Sequence, residues 1–190
     1  MVDKSATDPG EQERQRIVSA KRGEREAFDA LLEQHGRSVL RYLKQMCNHQ
    51  SDAEDLAQDV FYQAYRRLST FQEGTNFKGW LLTIAYHAWV HSKRRASATE
   101  QTSAALDTVP MRGGANISDA EAGEAIRASL TRLPEDQRTV VLLRFGEGLS
   151  HAEISQIVKA DPATVRWRLF KARQTLRRVL AAWAPRKVRG

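Results

Sequence analysis

The sequence holds 190 residues, of which 41% are hydrophobic and 28% are charged, a composition typical of a globular protein and not of a disordered one. Its formal net charge is +7, and the positive excess lies near the C-terminus: residues 130–190 hold 13 of the 30 basic residues but only 5 of the 23 acidic ones. The C-terminal third is therefore expected to bind an anionic partner, whose class the charge alone does not identify.

Cysteine content and hydropathy indicate the cellular compartment of the protein. Cys47 is the single cysteine, so no intramolecular disulfide can form, and its apolar helical context predicts a small core residue in a reducing compartment. The first residues lack the apolar segment of a signal peptide, and no apolar run is long enough to span a bilayer. We expect a cytoplasmic protein.

The N-terminal part of the chain predicts helix. Residues 1–12 are polar and predict a loose tail. Beyond them, apolar residues at steps of three and four predict a helical stretch from about Gln15 to Cys47, with a candidate break at Gly23.

A second helix is predicted to begin at a capping box. Ser51 and Glu54 have the required spacing, and the apolar positions continue to about Leu68. Its first turns carry four carboxylates, those of Asp52, Glu54, Asp55 and Asp59. Because the helix dipole favours acidic residues near an N-terminus, these side chains have two interpretations: stabilisation of the helix itself, or a binding face for a basic partner. Composition alone leaves both open.

A third helix is predicted from Phe77 to about Arg95, with Asn76 as its N-cap. The basic residues at its C-terminal end, Lys93, Arg94 and Arg95, have two interpretations: favourable interaction with the helix dipole, or binding of phosphate groups. His87 and His91 lie one turn apart, a spacing that could bind a metal, but no cysteine or carboxylate ligand is near them in the sequence. We expect polar surface residues there, and no metal or other cofactor.

The composition changes after the third helix. Residues 97–118 are rich in Ala, Ser, Thr and Gly without an apolar period, and they predict a flexible linker. Helix is predicted to restart near Asp119. Another helix is predicted to open at Pro134, to carry an apolar run that includes Phe145, and to end at Gly146 or Gly148.

The most informative stretch, residues 149–178, predicts two short helices with a sharp break. Ser150 and Glu153 form a second capping-box pattern, and Asp161 followed by Pro162 joins an N-cap to a residue suited to the first helical position. The basic face of the second helix is formed by Arg166, Arg168, Lys171, Arg173, Arg177 and Arg178. A helix, a tight turn and a basic helix are typical of a helix-turn-helix that places its second helix in the DNA major groove.

No strand pattern is present, so the predicted fold is all-α. It consists of two small helical domains, residues 15–96 and 119–182, joined by the flexible linker 97–118. Four motifs occur in order along the chain: DAEDLAQDVF, FKGWL, LPEDQR and TVRWRLFKAR. Together they resemble the extracytoplasmic-function group of the bacterial sigma-70 family. The resemblance implies that residues 15–96 form the region 2 helical bundle and residues 119–182 form region 4.

The resemblance also implies a function. Such a chain is an alternative sigma factor, and not an enzyme, that binds core RNA polymerase and directs promoter-specific transcription initiation. Region 2 reads the −10 element and region 4 reads the −35 element. The implied partners are bacterial core RNA polymerase and promoter DNA, and many members also bind an anti-sigma factor; no membrane insertion is expected.

Residues that match the family's contact positions follow from the resemblance. The polymerase-binding candidates are Asp55, Leu56, Gln58 and Asp59, which favours the partner-binding interpretation of the acidic helix. The −10 candidates are Asn76, Phe77 and Lys78 at a loop that captures an unstacked base, with Lys93, Arg94 and Arg95 at backbone phosphates. The chain departs from the family at His87 and His91, where Asn and Asp are common, so its −10 preference is expected to differ.

At the −35 element, the resemblance implies groove contacts by Arg166, Trp167, Phe170 and Lys171, with Thr164, Arg168 and Arg173 near phosphates. Arginine can bind guanine through two hydrogen bonds. Trp167 replaces a smaller polar side chain common in the family. We prefer contact of its ring with thymine methyls or sugar edges over packing on the helix. Members of the family often carry glycine near the turn at which this chain has Lys159. We therefore expect the local geometry of the turn to differ.

Two other classes of function are alternatives for this sequence. A stand-alone helix-turn-helix regulator would explain the basic helix, but not the acidic helix or the linker, and it predicts tight promoter binding without polymerase. An enzyme is disfavoured because the sequence holds no nucleotide-binding loop, no paired nucleophile and base, and no metal-ligand cluster.

Overall fold

The computed structural model describes residues 8–99 and 126–181, and every regular element in these ranges is helical. The predicted all-α class is therefore confirmed. The chain divides into two compact units between Val90 and His91. Most of the predicted linker, residues 100–118, and the predicted restart near Asp119 lie outside the described residues.

The N-terminal unit is built from three helices and from the part of a fourth that ends at Val90. These are α1 (Pro9–Lys21), α2 (Arg25–Met46), α3 (Gln50–Arg67) and α4 (Phe77–Thr99), with a 3₁₀ turn at Leu68–Thr70. Helix α2 packs against both α1 and α3. The core consists of apolar side chains spaced at three and four residues along each helix, including Leu31, Val39, Leu43, Val60, Ala64, Leu81, Leu82 and Ala85, all of them fully buried. This burial follows the predicted apolar stripes and supplies most of the unit's stability.

The start of the first helix differs from the prediction. Residues 9–12 are helical rather than part of a loose tail, because Asp8 caps α1 through a 3.4 Å hydrogen bond from Gly10 N and Pro9 occupies the first turn. The predicted break at Gly23 is confirmed: its φ of 96° is in the left-handed region, which glycine adopts without steric cost.

The capping box predicted at Ser51 is wrong. Helix α3 already begins at Gln50, and its N-cap, His49, makes no side-chain capping hydrogen bond. Glu54 instead accepts a 2.8 Å hydrogen bond from Gln50 Nε2 and lies 3.2 Å from Lys44 Nζ. The hydrogen bond from Gln50, followed by the contacts with Lys44, lowers the pKa of the exposed Glu54 carboxyl.

Cys47, predicted as a core residue, follows the last turn of α2 and is only half-buried. Burial, with a smaller contribution from the charge of Asp52, raises the pKa of its thiol to about 11, so the thiol stays protonated at neutral pH.

The C-terminal unit holds the described helical residues 126–131 (α5), then α6 (Glu135–Val141), a π-helical turn (Leu142–Gly146), α7 (His151–Val158) and α8 (Pro162–Ala181). Its core is formed by apolar side chains from all these helices, including Leu130, Leu133, Val140, Leu143, Ile154, Ile157, Val165, Leu169 and Ala172. Helix α8 packs against both α6 and α7.

Phe145, the last residue of the predicted apolar run, does not lie in the core of the unit. The chain changes from α-helical to π-helical hydrogen bonding at Leu142, which alters the angular spacing of the side chains that follow. Leu142 and Leu143 stay in the core, whereas Phe145 is 58% exposed. Gly148, two residues after the π-helical turn, has φ 74°, and it redirects the chain into α7.

Candidate polymerase and nucleic-acid interfaces

The turn between α7 and α8 is defined by local capping. Ser150 Oγ accepts a hydrogen bond from Glu153 N at 3.2 Å, and Glu153 Oε2 accepts one from Ser150 N at 2.8 Å, so the predicted capping box is confirmed. At the other end, Asp161 Oδ1 accepts a 2.6 Å hydrogen bond from Ala163 N, one residue after Pro162. These contacts fix a helix-turn-helix, as the sequence predicted.

Lys159 ends α7 with φ 49° and ψ 47°, the left-handed conformation usual for glycine at a helix C-terminus. The chain adopts the glycine conformation with a side chain present, which carries a steric cost.

Helix α8 presents one exposed face opposite its buried stripe. Val165, Leu169 and Ala172 are buried, while four side chains at three- and four-residue spacing point outward: Arg166, Trp167, Phe170 and Lys171. Trp167 is 53% exposed and Phe170 is 56% exposed, so this face presents two large apolar side chains three residues apart. Lys171 Nζ lies 5.7 Å from the centroid of the Trp167 ring, within range of a cation–π contact.

The three predicted phosphate residues of α8 lie in different surroundings. Thr164 is half-buried on the first turn. Arg173 is exposed and holds its guanidinium 5.6 Å from the ring centroid of Phe145. Arg168 is on the flank of the buried stripe, where its Nε lies 3.0 Å from Asp136 Oδ2 of α6.

On α3, the predicted polymerase-binding residues share one face. Asp55, Gln58 and Asp59 are exposed, and Leu56 is half-buried at the edge of this face. The opposite side of the helix is buried through Ala53, Ala57, Val60 and Ala64. The face is therefore rigidly supported and acidic.

The acidic face continues into an aromatic residue that sequence analysis missed. Tyr62 is 63% exposed, and the guanidinium of Arg66 lies 5.8 Å from its ring centroid. The signal was present, because Tyr62 follows Gln58 and Asp59 at helical spacings of four and three residues.

The loop before α4 rests on a cluster of aromatic rings. Phe71 and Phe77 are buried, and their ring centroids lie 5.2 Å apart in edge-to-face geometry. Trp80 is half-buried, with its ring centroid 5.4 Å from that of Phe71 and 5.5 Å from that of Phe77. The ring of Phe77 is 1% exposed, so it cannot reach a base in this conformation. The Phe77 ring instead packs against Phe71 and Trp80 beneath the loop.

The other predicted −10 residues lie at the surface of α4 or next to it. Asn76 is exposed, and its Oδ1 accepts a 3.0 Å hydrogen bond from Gly79 N, which confirms the predicted cap. Lys78 is half-buried in the first turn. In the last turns, Lys93 is half-buried, and Arg94 and Arg95 are exposed. Helix α4 runs beyond the predicted end at Arg95, to Thr99.

Two contacts that tie this loop to α1 were not predicted. Lys21 Nζ lies 2.9 Å from Glu73 Oε1, which anchors the loop directly. Buried His35 has its ring centroid 5.6 Å from that of Phe77, and its Nε2 lies 3.3 Å from Glu13 Oε1. Burial lowers the pKa of His35, while the neighbouring Glu13 carboxylate raises it less than burial lowers it. Long-range contacts of this kind leave no periodic signal in a sequence.

His87 is half-buried, with its ring centroid 5.2 Å from that of Tyr86, and His91 is exposed. Within residues 8–99 and 126–181, no three His, Cys, Asp or Glu side chains form a group that could hold a metal ion. In the same ranges, no helix is long and apolar enough to span a membrane.

Comparison with known proteins matches both units to one family. Residues 31–99 match the model for sigma-70 region 2, and residues 123–176 match a model for sigma-70 region 4. The chain is 30% identical over 184 residues to the RNA polymerase sigma-H factor of Pseudomonas aeruginosa, covering 90% of this chain and 94% of that protein. It is 34% identical over 160 residues to the ECF RNA polymerase sigma factor SigE of Mycolicibacterium smegmatis, covering 82% of this chain and 62% of that protein.

The fold is similar to that of a solved sigma factor. The sigma factor RpoE from Bartonella quintana, whose structure was determined in complex with the anti-sigma factor NepR, matches with a TM-score of 0.70 at 24% identity, over 81% of this chain and 96% of that one. Two sigma-70 region models match in order, and a relative at 30% identity is covered almost from end to end. This chain therefore belongs to the extracytoplasmic-function group of the sigma-70 family of RNA polymerase sigma factors.

Proposed function

We propose that this sigma factor recruits core RNA polymerase through α3 and reads promoters through the loop before α4 and through α8. The observation that carries the proposal is the exposed face of α8, where Arg166, Trp167, Phe170 and Lys171 project from a helix-turn-helix. In this division of work, residues 15–96 act as region 2, residues 119–182 act as region 4, and residues 97–118 connect the two.

The surface for core polymerase is the acidic face of α3. Asp55, Gln58 and Asp59 supply charge and hydrogen-bond acceptors, and half-buried Leu56 supplies an apolar edge. Such a face complements a basic helical partner, and buried alanines beneath it keep it rigid. Stabilisation of α3 by its own dipole is the lesser role, because Asp55 and Asp59 lie beyond the first turn of a helix that starts at Gln50.

The surface for the −10 element is the loop that Asn76 closes. Asn76 and Lys78 make the base and phosphate contacts, and Phe77 holds the loop from the core. Lys93, Arg94 and Arg95 in the last turns of α4 bind the backbone of the same DNA.

The surface for the −35 element is the outward face of α8. Arg166 and Lys171 donate to base edges, and a bidentate pair with guanine contributes about 1–3 kcal/mol of discrimination. Trp167 and Phe170 provide apolar contact with thymine methyls. Thr164 and Arg173 lie near phosphates. The protein catalyses no reaction of its own. It acts in the cytoplasm, where core polymerase binds promoter DNA. An anti-sigma factor is a further partner.

Transcription with core RNA polymerase on a promoter library tests the proposal. We expect added protein to create new start sites that share a −10 and a −35 sequence, and Arg166→Ala to remove the −35 preference. Arg25→Ala, which removes an exposed arginine from α2, is the matched control. Start sites that do not change on addition of the protein would refute the sigma function. Tight, promoter-specific binding by the chain without polymerase would favour a stand-alone regulator instead.

A further inference from the structure

The basic side chains of α8 are not equivalent. Arg166 and Lys171 belong to the exposed face, whereas Arg168 follows buried Val165 by three residues and precedes buried Ala172 by four. This spacing places Arg168 on the flank of the helix that faces the rest of the unit. Its side chain is only 23% exposed, although it carries a full charge.

The charge of Arg168 is paired within the protein. Its Nε lies 3.0 Å from Asp136 Oδ2, and the other oxygen of that carboxylate, Oδ1, accepts a 2.9 Å hydrogen bond from Gln137 N. Both oxygens of Asp136 are therefore engaged, which fixes the direction of the carboxylate.

The start of α6, which carries Asp136, is itself anchored. Two backbone carbonyls of the preceding turn accept hydrogen bonds from Arg138 Nη2, Thr131 O at 3.0 Å and Leu133 O at 3.3 Å. Burial lowers the pKa of the Arg138 guanidinium, which stays charged at neutral pH. Asp136 thus extends toward α8 from a helix start that is held in place by hydrogen bonds.

We propose that Asp136 and Arg168 are positioning residues for −35 recognition, and that Arg168 does not neutralise a DNA phosphate. Helix α8 packs against α6 and α7 through small and aliphatic side chains, and the ion pair adds a directional contact to this packing. The pair between α6 and α8 sets that rotation, and so it aims the Arg166 and Trp167 side chains at the base edges. The inference rests on the proposed −35 function of α8.

The test measures binding of holoenzyme, formed with the full chain, to two promoter duplexes. One is selected by the wild-type holoenzyme from a library, and the other has its −35 element scrambled. The ratio of the two dissociation constants reports −35 discrimination and cancels general charge effects. Asp136→Asn, which keeps shape but removes charge, should lower this ratio roughly threefold, the size expected for one partly exposed ion pair. Asp136→Glu, which keeps the charge, should retain most of the wild-type ratio.

Salt dependence separates positioning from phosphate contact. Each phosphate contact contributes a slope of about −0.9 to the plot of log affinity against log salt. We expect Arg168→Ala to lower discrimination without changing this slope. A slope reduced by about one for Arg168→Ala, or tighter specific binding by Asp136→Asn, would show that Arg168 binds DNA and would overturn the inference.

If Asp136→Asn leaves the ratio of the two dissociation constants unchanged, the inference is also overturned. This holds even if thermal unfolding shows that the variant is less stable, because the ion pair would then have only a structural role. Failure of the wild-type holoenzyme to discriminate between the two duplexes is a different result. It would refute the proposed −35 function itself.

Discussion

The ammonium nitrogen of Lys171 lies 5.7 Å from the ring centroid of Trp167, one turn earlier on the same helix. This contact joins two exposed side chains of α8 into one surface and limits the rotamers of both. A rigid aromatic ring beside a fixed positive charge is suited to a site where a thymine methyl lies next to a base or phosphate acceptor.

The first prediction concerns this ring. Trp167→Ser, which introduces a smaller polar side chain, should change the selected −35 sequence and weaken −35 binding by about 1 kcal/mol or more, because apolar contact with the DNA is lost. Selection from a promoter library followed by binding titration measures both effects. The matched control is Ile126→Ser, which removes another exposed apolar side chain from the C-terminal unit. If both variants select the wild-type sequence, Trp167 is not a specificity residue.

The second prediction concerns the turn of the helix-turn-helix. Lys159 has φ 49°, so Lys159→Gly should relieve its steric cost and raise the free energy of unfolding by about 0.5 kcal/mol, after the entropy lost by glycine is subtracted. Urea denaturation of the full chain measures the change. Lys159→Val, a β-branched residue in the same conformation, should be destabilising. Equal stability of the two variants would contradict this account of the turn.

The third prediction concerns the acidic face of α3. Replacement of both Asp55 and Asp59 by Asn should weaken binding to core RNA polymerase and make the remaining affinity less sensitive to salt, because two exposed charges leave the interface. Fluorescence titration of labelled protein with core enzyme measures the affinity. Asp29→Asn, at an exposed carboxylate on α2, is the control and should have little effect. Equal effects of the two changes would place the polymerase surface elsewhere.

The fourth prediction concerns His35. Because burial lowers its pKa in the folded state, the unfolded chain binds more protons at mildly acidic pH than the folded chain does. The free energy of unfolding should therefore be largest above the unfolded pKa of about 6.5 and should fall as the pH drops below it. His35→Gln should flatten this dependence, as measured by urea denaturation between pH 5 and pH 8. A wild-type stability that rises on acidification would contradict the sign.

Sequence reasoning succeeded where the signal is local. The capping box of Ser150 and Glu153, the cap at Asn76 and the break at Gly23 each depend on a few neighbouring residues, and all three are confirmed. The same kind of signal was overlooked at Asp8 and Pro9, which open α1 as Asp161 and Pro162 open α8.

Errors arose where a local pattern competed with other contacts. At Ser51 a capping-box spacing was present, but the helix begins earlier, and Glu54 pairs with Gln50 and Lys44 instead. At Phe145 a continuous helix was predicted, but the chain forms a π-helical turn, and this side chain of the apolar run is exposed. Neither outcome is encoded in the spacing of a few residues.

The sequence by itself determined the all-α class, the helix-turn-helix, the basic and acidic faces and the resemblance to sigma factors, because periodicity, capping and motif order are properties of the linear chain. Only the tertiary structure decided which polar side chains are paired and which rings are covered. Arg168 faces Asp136, Phe77 lies under the loop and His35 is buried beside Glu13. Each of these depends on a partner far away in sequence, which packing of the helices brings close.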